Sequence, residues 1–378
     1  MKCNIICKFA LDKKIEMTLV NKDEIQALDA MIGACRTATL VTHIHPDGDA
    51  VGSTSALCRY LRKRGVDAVI IYSDVIPETL RFILEDIPEG CVLHYTEDKE
   101  AAVRRIESSD MLILMDCNAF RRTGELERPC QEAAARKVLI DHHLGPDSGS
   151  FDIVFSEARI SSASELLFNV LMAMPDVSGD ASAIPSAAAA ALMTGMTTDT
   201  NNFANSVYPS TLEMASALLA AGVDRDRILS ALYQSGRETR TRMWGYMLYE
   251  NLVVTGHGVA YMIMDERLAS RFNVQEGETE GLVNEPLKIG DVKMSIFLKH
   301  DGDGFYRVSI RSKIGYSAVK CSERYFHGGG HENASGGRLF YKDMPDGTKA
   351  DIASPSQAAE YIERCTEKFF ESGEYVSE

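Results

Sequence analysis

The sequence predicts an α/β protein with an N-terminal parallel sheet covered by helices on both faces, a helical linker, and a smaller C-terminal α/β domain. Two observations lead to this prediction. In the first half, short continuous apolar runs alternate with helical segments, as in parallel strands that are buried on both sides. The chain has 378 residues, of which 45% are apolar and 25% charged, so it is long enough for two globular domains of about 150 residues each.

The elements of the first half follow from local patterns. Residues 37–44 (TATLVTHI) form an apolar run typical of a buried strand, and Gly65 is a suitable C-terminal cap for a helix over 49–64. Further strands are predicted at 66–72, 111–116 and 136–141, and further helices at 78–84 and 99–109.

From residue 161 to 251 the pattern is mostly helical, and strands return after residue 258. Helices are predicted at 161–174, 186–196, 210–221, 225–234, 239–250, 317–326 and 356–370, with another near 281–289, and strands at 259–265, 292–300 and 305–312. We therefore expect a first domain over 20–235, a helical linker over 236–256 and a second domain over 257–372.

Charge and hydropathy limit the partners and the location. The 40 basic and 55 acidic residues give a net charge of −15, and no Lys/Arg-rich run offers the basic face that duplex DNA requires. No apolar stretch approaches the roughly 18–20 residues of a membrane span, and no secretory signal begins the chain. The nine cysteines are scattered without a Cys-x-x-Cys. We expect a cytoplasmic protein with no duplex DNA and no membrane among its partners.

Acidic and histidine residues follow three of the predicted strands. The sequence His43-Ile44-His45-Pro46-Asp47-Gly48-Asp49 comes after the first strand, Asp116 ends another, and Asp141-His142-His143 ends a third. Because the carboxyl ends of parallel strands meet at one edge, these side chains should share one cleft. Carboxylates with imidazoles suit Mn²⁺, with Mg²⁺ as an alternative, and the ligands suffice for two ions about 3.5–4 Å apart.

A second candidate site lies in the C-terminal half. Three glycines separate His327 from His331, and glycines allow backbone amides to approach an anion closely. The sequence contains neither a G-x-x-x-x-G-K-[ST] phosphate loop nor a strand-linked G-x-G-x-x-G fingerprint, so ATP hydrolysis and dinucleotide oxidoreduction lack their usual support.

These motifs, in their order, resemble a known family. Residues 42–53 (THIHPDGDAVGS), Asp116, Asp141-His142-His143 and Asp199 in GMTTDT resemble the four motifs of the DHH phosphoesterase superfamily. The GGGH segment ending at His331, preceded by GLVN over 281–284, resembles the DHHA1 substrate domain. The resemblance covers about residues 20 to 345. It is closest to the stand-alone NrnA-like nanoRNase/pAp phosphatases and pApA phosphodiesterases.

The resemblance implies roles for individual residues. One ion would be held by His43 and Asp47, the second by Asp49, His142 and Asp199, and the catalytic Asp116 would bridge them. Asp141 would orient His142, and His143 would face the scissile phosphate. The residues implied in substrate binding are Arg311, Ser312, Gly329, Gly330 and His331. Two Mn²⁺ ions are the implied cofactors, with Mg²⁺ or Co²⁺ as substitutes.

The expected function is a two-metal phosphodiesterase acting on short oligoribonucleotides and linear dinucleotides such as pApA, with pAp as a further substrate. Two alternatives stay open: a polyphosphatase or pyrophosphatase acting on phosphoanhydrides, and a non-catalytic nucleotide-binding sensor. The resemblance also implies a homodimer.

Overall fold

The structure is a computed structural model that describes residues 20–234, 236–275, 277–302 and 304–376. It divides into two compact units, Met1–Ser235 (the first unit) and Gly236–Glu378 (the second unit).

The first unit is built on a six-stranded sheet in which every recorded strand pairing is parallel, as the sequence predicts. The strand order is β3-β2-β1-β4-β5-β6. The strands are β1 (Thr37–Val41), β2 (Asp67–Tyr72), β3 (Val92–His94), β4 (Met111–Met115), β5 (Arg136–Asp141) and β6 (Ile153–Ser156). The two edge strands, β3 and β6, are not predicted from the sequence because each is short and only partly buried.

Helices cover both faces of this sheet, which confirms the predicted fold class. The helices are α1 (Lys22–Ala34), α2 (Gly48–Lys63), α3 (Lys99–Glu107), α4 (Glu127–Glu132), α5 (Ala163–Ala173), α6 (Ser186–Asp199), α7 (Pro209–Ala220) and α8 (Arg225–Tyr233). One apolar core joins the sheet to α1, α2, α5 and α6, and a second joins it to α3 and α4. The segment 78–84 is helical as predicted but is a 3₁₀ helix. Among the described residues, no helix is long and apolar enough to span a membrane.

Helices α2 and α6 approach each other closely at two glycines. A Cβ atom on Gly52 would lie 2.7 Å from the carbonyl oxygen of Ala191 and 2.9 Å from the backbone nitrogen of Gly195. Backbone atoms cannot move aside as a flexible side chain can, so the glycine permits this crossing. The crossing lies one turn inside the amino end of α2 and one turn before the carboxyl end of α6.

The second unit also contains a six-stranded sheet, in the order β11-β12-β10-β9-β8-β7, with β8 and β9 parallel and the other recorded pairs antiparallel. Its strands are β7 (Val253–Val254), β8 (Val259–Met264), β9 (Met294–Asp301), β10 (Phe305–Ser312), β11 (Gly329–His331) and β12 (Ala334–Phe340). Its helices are α9 (Glu238–Glu250), α10 (Glu266–Arg271), α11 (Ala318–Tyr325) and α12 (Ala358–Glu371), and Leu282–Lys288 is a 3₁₀ helix.

Two features of the second unit differ from the sequence prediction. Helix α9, predicted as a linker, packs into this unit, because Met243 and Met247 are buried against Met262 and Phe297 of the sheet. The glycine-histidine segment, for which the sequence predicts no strand, is the short strand β11 paired with β12. Glycine has no side chain, so a run of glycines lacks the alternation of apolar and polar residues from which a strand is predicted.

We expect Gly52→Ala to lower the free energy of unfolding by about 1–3 kcal/mol, because α2 and α6 must separate to admit the methyl group. Gly33→Ala is the matched control: it lies within α1, and a Cβ atom there meets nothing within 4 Å. That change should leave stability unchanged or raise it by up to about 1 kcal/mol. Urea unfolding of both variants checks this, and equal midpoints would contradict the close crossing.

Candidate metal centre

The predicted carboxylates and imidazoles meet at the carboxyl edge of the parallel sheet. They come from the loop after β1, the first turn of α2, the residue after β4, the end of β5 and the last residue of α6. The ligand atoms of three overlapping trios lie within 4.8 Å of one another: His43, Asp47 and Asp116; Asp49, His142 and Asp199; and Asp116, His142 and His143. The structure therefore brings together all six residues named from the sequence as metal ligands.

The loop after β1 is shaped by the start of helix α2. Asp47 is the N-cap residue, and its Oδ1 accepts hydrogen bonds from the backbone nitrogens of Asp49 and Ala50, at 3.0 and 3.1 Å. His43 contacts the carbonyl oxygen of Ile44 through Nδ1 at 2.7 Å, and its Nε2 lies 3.5 Å from Oδ2 of Asp116. A contact that holds Nδ1 in place presents Nε2 to the cluster.

Asp116 lies between two imidazoles. Its backbone has φ of +52°, a left-handed conformation that directs the chain sharply away from β4. Oδ2 faces His43, while Oδ1 lies 3.4 Å from Nε2 of His142. The side chain is buried, and Oδ1 has no hydrogen-bond partner. A buried carboxylate oxygen without a partner is costly, and a cation there would remove that cost.

Asp49, His142 and Asp199 form the other side of the centre. Nε2 of His142 lies 3.5 Å from Oδ2 of Asp199. Asp49 is 1% exposed, and its two oxygens accept hydrogen bonds from the backbone nitrogens of Ala163 and Ser164, at 2.6 and 2.9 Å. A carboxylate oxygen can accept a hydrogen bond and ligate a metal together, because it has two lone pairs.

The electrostatics of the cluster show an excess of negative charge. Burial lowers the pKa of an imidazole, but Asp116 outweighs this and raises the pKa of His43 to about 9 and that of His142 to about 10. Burial and the charge of Asp116 raise the pKa of Asp49 to about 7, and burial with Asp49 raises the pKa of Asp199. Burial acts in the same direction on Asp116, yet the two imidazoles hold its pKa well below the ordinary value. Divalent cations are the natural counter-charge for such a group.

Asp141 orients a different histidine from the one predicted. Its Oδ1 accepts a hydrogen bond from Nδ1 of His143 at 2.7 Å, and its Oδ2 accepts one from the backbone nitrogen of His143 at 3.0 Å. The family resemblance implies that Asp141 orients His142. The difference arises because the chain turns at the end of β5, which places the ring two residues after Asp141 above its carboxylate.

The donor set fits divalent cations. The six proposed ligands are four carboxylates and two imidazoles, the imidazole of His143 lies beside them, and the three trios contain no thiolate. This combination favours Mn²⁺ or Mg²⁺ over a structural zinc site. Oδ2 of Asp116 faces His43 and Oδ1 faces His142, which is the arrangement that a residue shared between two ions would require.

The five residues named for substrate binding all belong to the second unit. Nη1 of Arg311, on β10, donates to the carbonyl oxygen of Ile310 at 2.9 Å, and no carboxylate among the described residues pairs with it. Burial lowers the pKa of this guanidinium. Ser312 is buried, and its hydroxyl donates to the carbonyl oxygen of Tyr316 and accepts from the side chain of Asn333. Its polar atoms are therefore used within the protein.

The glycines of β11 have distinct surroundings. A Cβ atom on Gly330, whose φ is +141°, would lie 2.7 Å from the carbonyl oxygen of Ala334, whereas one on Gly329 would meet nothing within 4 Å. Gly330 is thus required by its backbone conformation and by the neighbouring strand. His331 is exposed at the end of β11.

The sequence prediction missed the residues at the start of α5. It gave 161–174 as a helix only, although two amides of that helix hold Asp49. The available signal was Ser162 followed three residues later by Glu165, the spacing of a capping box.

Comparison with known proteins agrees with the geometry. Residues 37–196 match the model of the DHH family, N-terminal domain, and residues 256–350 match that of the DHHA1 domain. A crystal structure of an exopolyphosphatase-related protein from Bacteroides fragilis is 30% identical, has a TM-score of 0.83, and is aligned over 93% of this chain and 98% of its own.

Two curated relatives carry nucleotide activities in their names. A probable bifunctional oligoribonuclease and PAP phosphatase NrnA from Streptococcus mutans is 25% identical over 82% of this chain and 92% of its own length. A cyclic-di-AMP phosphodiesterase, PdeA, from Listeria monocytogenes is 24% identical over 81% of this chain and 45% of its own length. By these matches, together with the acidic and histidine cluster at the sheet edge, the chain belongs to the DHH family of phosphoesterases and carries a DHHA1 domain.

Proposed function

We propose that the protein is a two-metal phosphodiesterase that hydrolyses short oligoribonucleotides and linear dinucleotides such as pApA, and that it removes a phosphate from pAp. The observation that carries this proposal is the convergence of four carboxylates and two imidazoles on one edge of the sheet. The names of the NrnA and PdeA relatives, both enzymes of small nucleotides, support the substrate class.

In this proposal His43 and Asp47 hold one ion, Asp49, His142 and Asp199 hold the other, and Asp116 contributes an oxygen to each. Mn²⁺ is the proposed ion because carboxylates and imidazoles are both good ligands for it, with Mg²⁺ or Co²⁺ as substitutes. Two bound divalent ions would stabilise charge on the attacking and leaving oxygens of an in-line displacement at phosphorus.

The protein's own groups supply orientation and proton handling. Asp141 holds Nδ1 of His143, so the ring keeps one orientation beside Asp116. We propose that His143 contacts the scissile phosphate and that its imidazole or water gives a proton to the leaving oxygen.

We propose that Arg311 binds a phosphate of the same substrates. Burying a guanidinium without a carboxylate partner is unfavourable, and a phosphate dianion would restore both charge balance and hydrogen bonds. Gly329, Gly330 and His331 lie on the strand next to β12, whose Ala334 is opposite Arg311. We retain them as proposed substrate contacts, and assign Ser312 the supporting role of holding the loop at Tyr316.

A second candidate function is hydrolysis of phosphoanhydrides. The name of the 30% identical Bacteroides fragilis protein, which is related to exopolyphosphatases, favours it. The same cluster could serve either reaction, because both transfer a phosphoryl group to water. A non-catalytic nucleotide sensor is the remaining alternative from the sequence, and the complete ligand set argues against it.

The function is tested by a time course of products with Mn²⁺ on pApA, pAp, c-di-AMP, 5′-labelled RNA trimers and tripolyphosphate. We expect pApA and the trimers to be cleaved, and cleavage to stop with EDTA and return with Mn²⁺. Hydrolysis of tripolyphosphate with intact pApA would favour the phosphoanhydride function. Tight pApA binding without any cleavage would favour a sensor.

Asp116→Asn should lower kcat roughly 10³-fold or more, because an amide offers one neutral oxygen and an NH₂ group and so cannot give an anionic oxygen to each of two cations. Asp110→Asn is the matched control at the opposite end of β4, where Asp110 accepts hydrogen bonds from the backbone nitrogens of Arg36 and Thr37. Turnover of pApA in Mn²⁺ and the circular dichroism spectra of both variants check this. Near-normal turnover by Asp116→Asn would refute the assignment.

Arg311→Met should raise KM for pApA about 10- to 100-fold, the loss expected for one or two hydrogen bonds to a charged group. Hydrolysis of bis(p-nitrophenyl) phosphate, which lacks a terminal phosphate, should change little. Stability should not fall, because an apolar side chain avoids the cost of burying the guanidinium. An unchanged KM for pApA would remove Arg311 from the substrate site.

A further inference from the structure

The carboxylate of Asp49 lies directly against the amino end of helix α5. Oδ2 accepts a hydrogen bond from the backbone nitrogen of Ala163 at 2.6 Å, and Oδ1 accepts one from that of Ser164 at 2.9 Å. The first amides of a helix have no partner within the helix and carry partial positive charge. The end of α5 therefore provides both direction and compensating charge to a carboxylate that is crowded by other acidic groups.

A buried network centred on Glu165 holds this helix end in place. The hydroxyl oxygen of Ser162, the N-cap residue, accepts a hydrogen bond from the backbone nitrogen of Glu165 at 3.0 Å. In return, Oε2 of Glu165 accepts hydrogen bonds from the backbone nitrogen of Ser161, at 3.2 Å, and from the Ser161 hydroxyl. The same oxygen accepts a hydrogen bond from the hydroxyl of Thr211, on α7, at 2.7 Å. All four side chains are at most 1% exposed.

The Glu165 network closes around the backbone that supplies the two amides. It resembles a capping box in which the glutamate reaches one residue beyond the N-cap. A buried carboxylate is unfavourable unless it is well hydrogen-bonded. Three donors satisfy Oε2 of Glu165, whereas its buried Oε1 has no hydrogen-bond partner among the described residues. Thr211 ties the helix end to α7, so a shift of α5 would break this contact as well.

Asp49 also has no room to turn away from α5. A Cβ atom on Gly195, in α6, would lie 2.8 Å from Oδ1 of Asp49 and far inside contact distance of the Ser164 hydroxyl. The carboxylate is therefore enclosed between the end of α5 and the backbone of α6. Four residues later α6 ends at Asp199, which belongs to the same trio as Asp49.

We propose that Glu165, supported by Thr211, is a positioning residue for the divalent-cation site formed by Asp49, His142 and Asp199. It acts through the Ala163 and Ser164 amides, which orient Asp49, and it does not touch the cation or the substrate. This inference rests on the proposed two-metal function. It adds to the residues that determine the geometry of the site a segment that lies more than a hundred residues from Asp49 in the sequence.

The test measures Mn²⁺ binding to the full-length chain by calorimetry, and the coupling of two Mn²⁺ ions by electron paramagnetic resonance. Thr211→Val removes, at nearly constant volume, a hydroxyl that donates to Glu165 and accepts a hydrogen bond from the backbone nitrogen of Tyr208 at the start of α7. Glu165→Leu removes the acceptor, and Glu165→Gln keeps a side-chain oxygen. We expect the second ion to bind roughly 10- to 100-fold more weakly in Thr211→Val and Glu165→Leu, with the first ion little changed. Glu165→Gln should lie closer to the wild type.

Thr39→Val is the matched control, because it removes a buried hydroxyl in the middle of β1 that contacts the Ser109 hydroxyl at 2.6 Å. It should bind both ions normally. In Thr211→Val and Glu165→Leu, kcat should recover as Mn²⁺ is raised, which a general loss of folding would not allow. If Glu165→Leu does not fold, Thr211→Val and Glu165→Gln still decide the outcome.

The outcomes separate the two proposals. If the wild type and Thr39→Val bind a coupled pair of ions and all three test variants bind it with equal affinity, the positioning role is wrong and the metal-dependent function stands. If the wild type itself binds no pair of ions, the proposed function fails and the positioning role fails with it.

Discussion

The arrangement of the site depends on the cost of bringing four carboxylates together, two of which, Asp49 and Asp116, are buried. Like charges a few ångströms apart in a poorly hydrated site repel strongly, and burial adds the penalty of lost solvation. Each neighbouring feature offsets part of that cost. The α2 amides bind Asp47, the α5 amides bind Asp49, and two imidazoles flank Asp116. The negative charge that these groups do not compensate is suited to binding divalent cations.

The fold brings these groups together by two geometric devices. Parallel strands end at one edge, so short loops deliver His43, Asp116 and His142 to the same place. Helices position two others: Asp49 is the second residue of α2, and Asp199 is the last residue of α6. The close crossing at Gly52 and Gly195, one turn from each, brings those two helix ends together. A residue larger than glycine there would change the separation of the carboxylates as well as the packing.

In the second unit, Gly330 and Arg311 differ in how strongly they indicate an anion-binding site. The backbone of β11 packs so closely on β12 that Gly330 has a structural explanation, independent of any ligand. Arg311 has none of that kind, because the described structure gives its guanidinium two backbone carbonyls and no counter-charge. The stronger chemical indication of an anion site is therefore the buried arginine rather than the glycine run that dominates the sequence pattern.

The sequence by itself determined the parallel sheet, its central strands and most of the acidic and histidine residues that meet at the sheet edge, whereas Asp199 follows only from the resemblance to the DHH superfamily. Continuous apolar runs require burial on both faces, and an acidic or histidine residue directly after such a run must lie at the sheet edge. Only the tertiary structure decided that β11 is a strand, that Asp141 holds His143, and that the start of α5 holds Asp49. Those outcomes depend on contacts between chain segments whose local sequence is compatible with several conformations. A capping box predicts where a helix begins, but which carboxylate its amides bind depends on how α5 packs against α2 and α6.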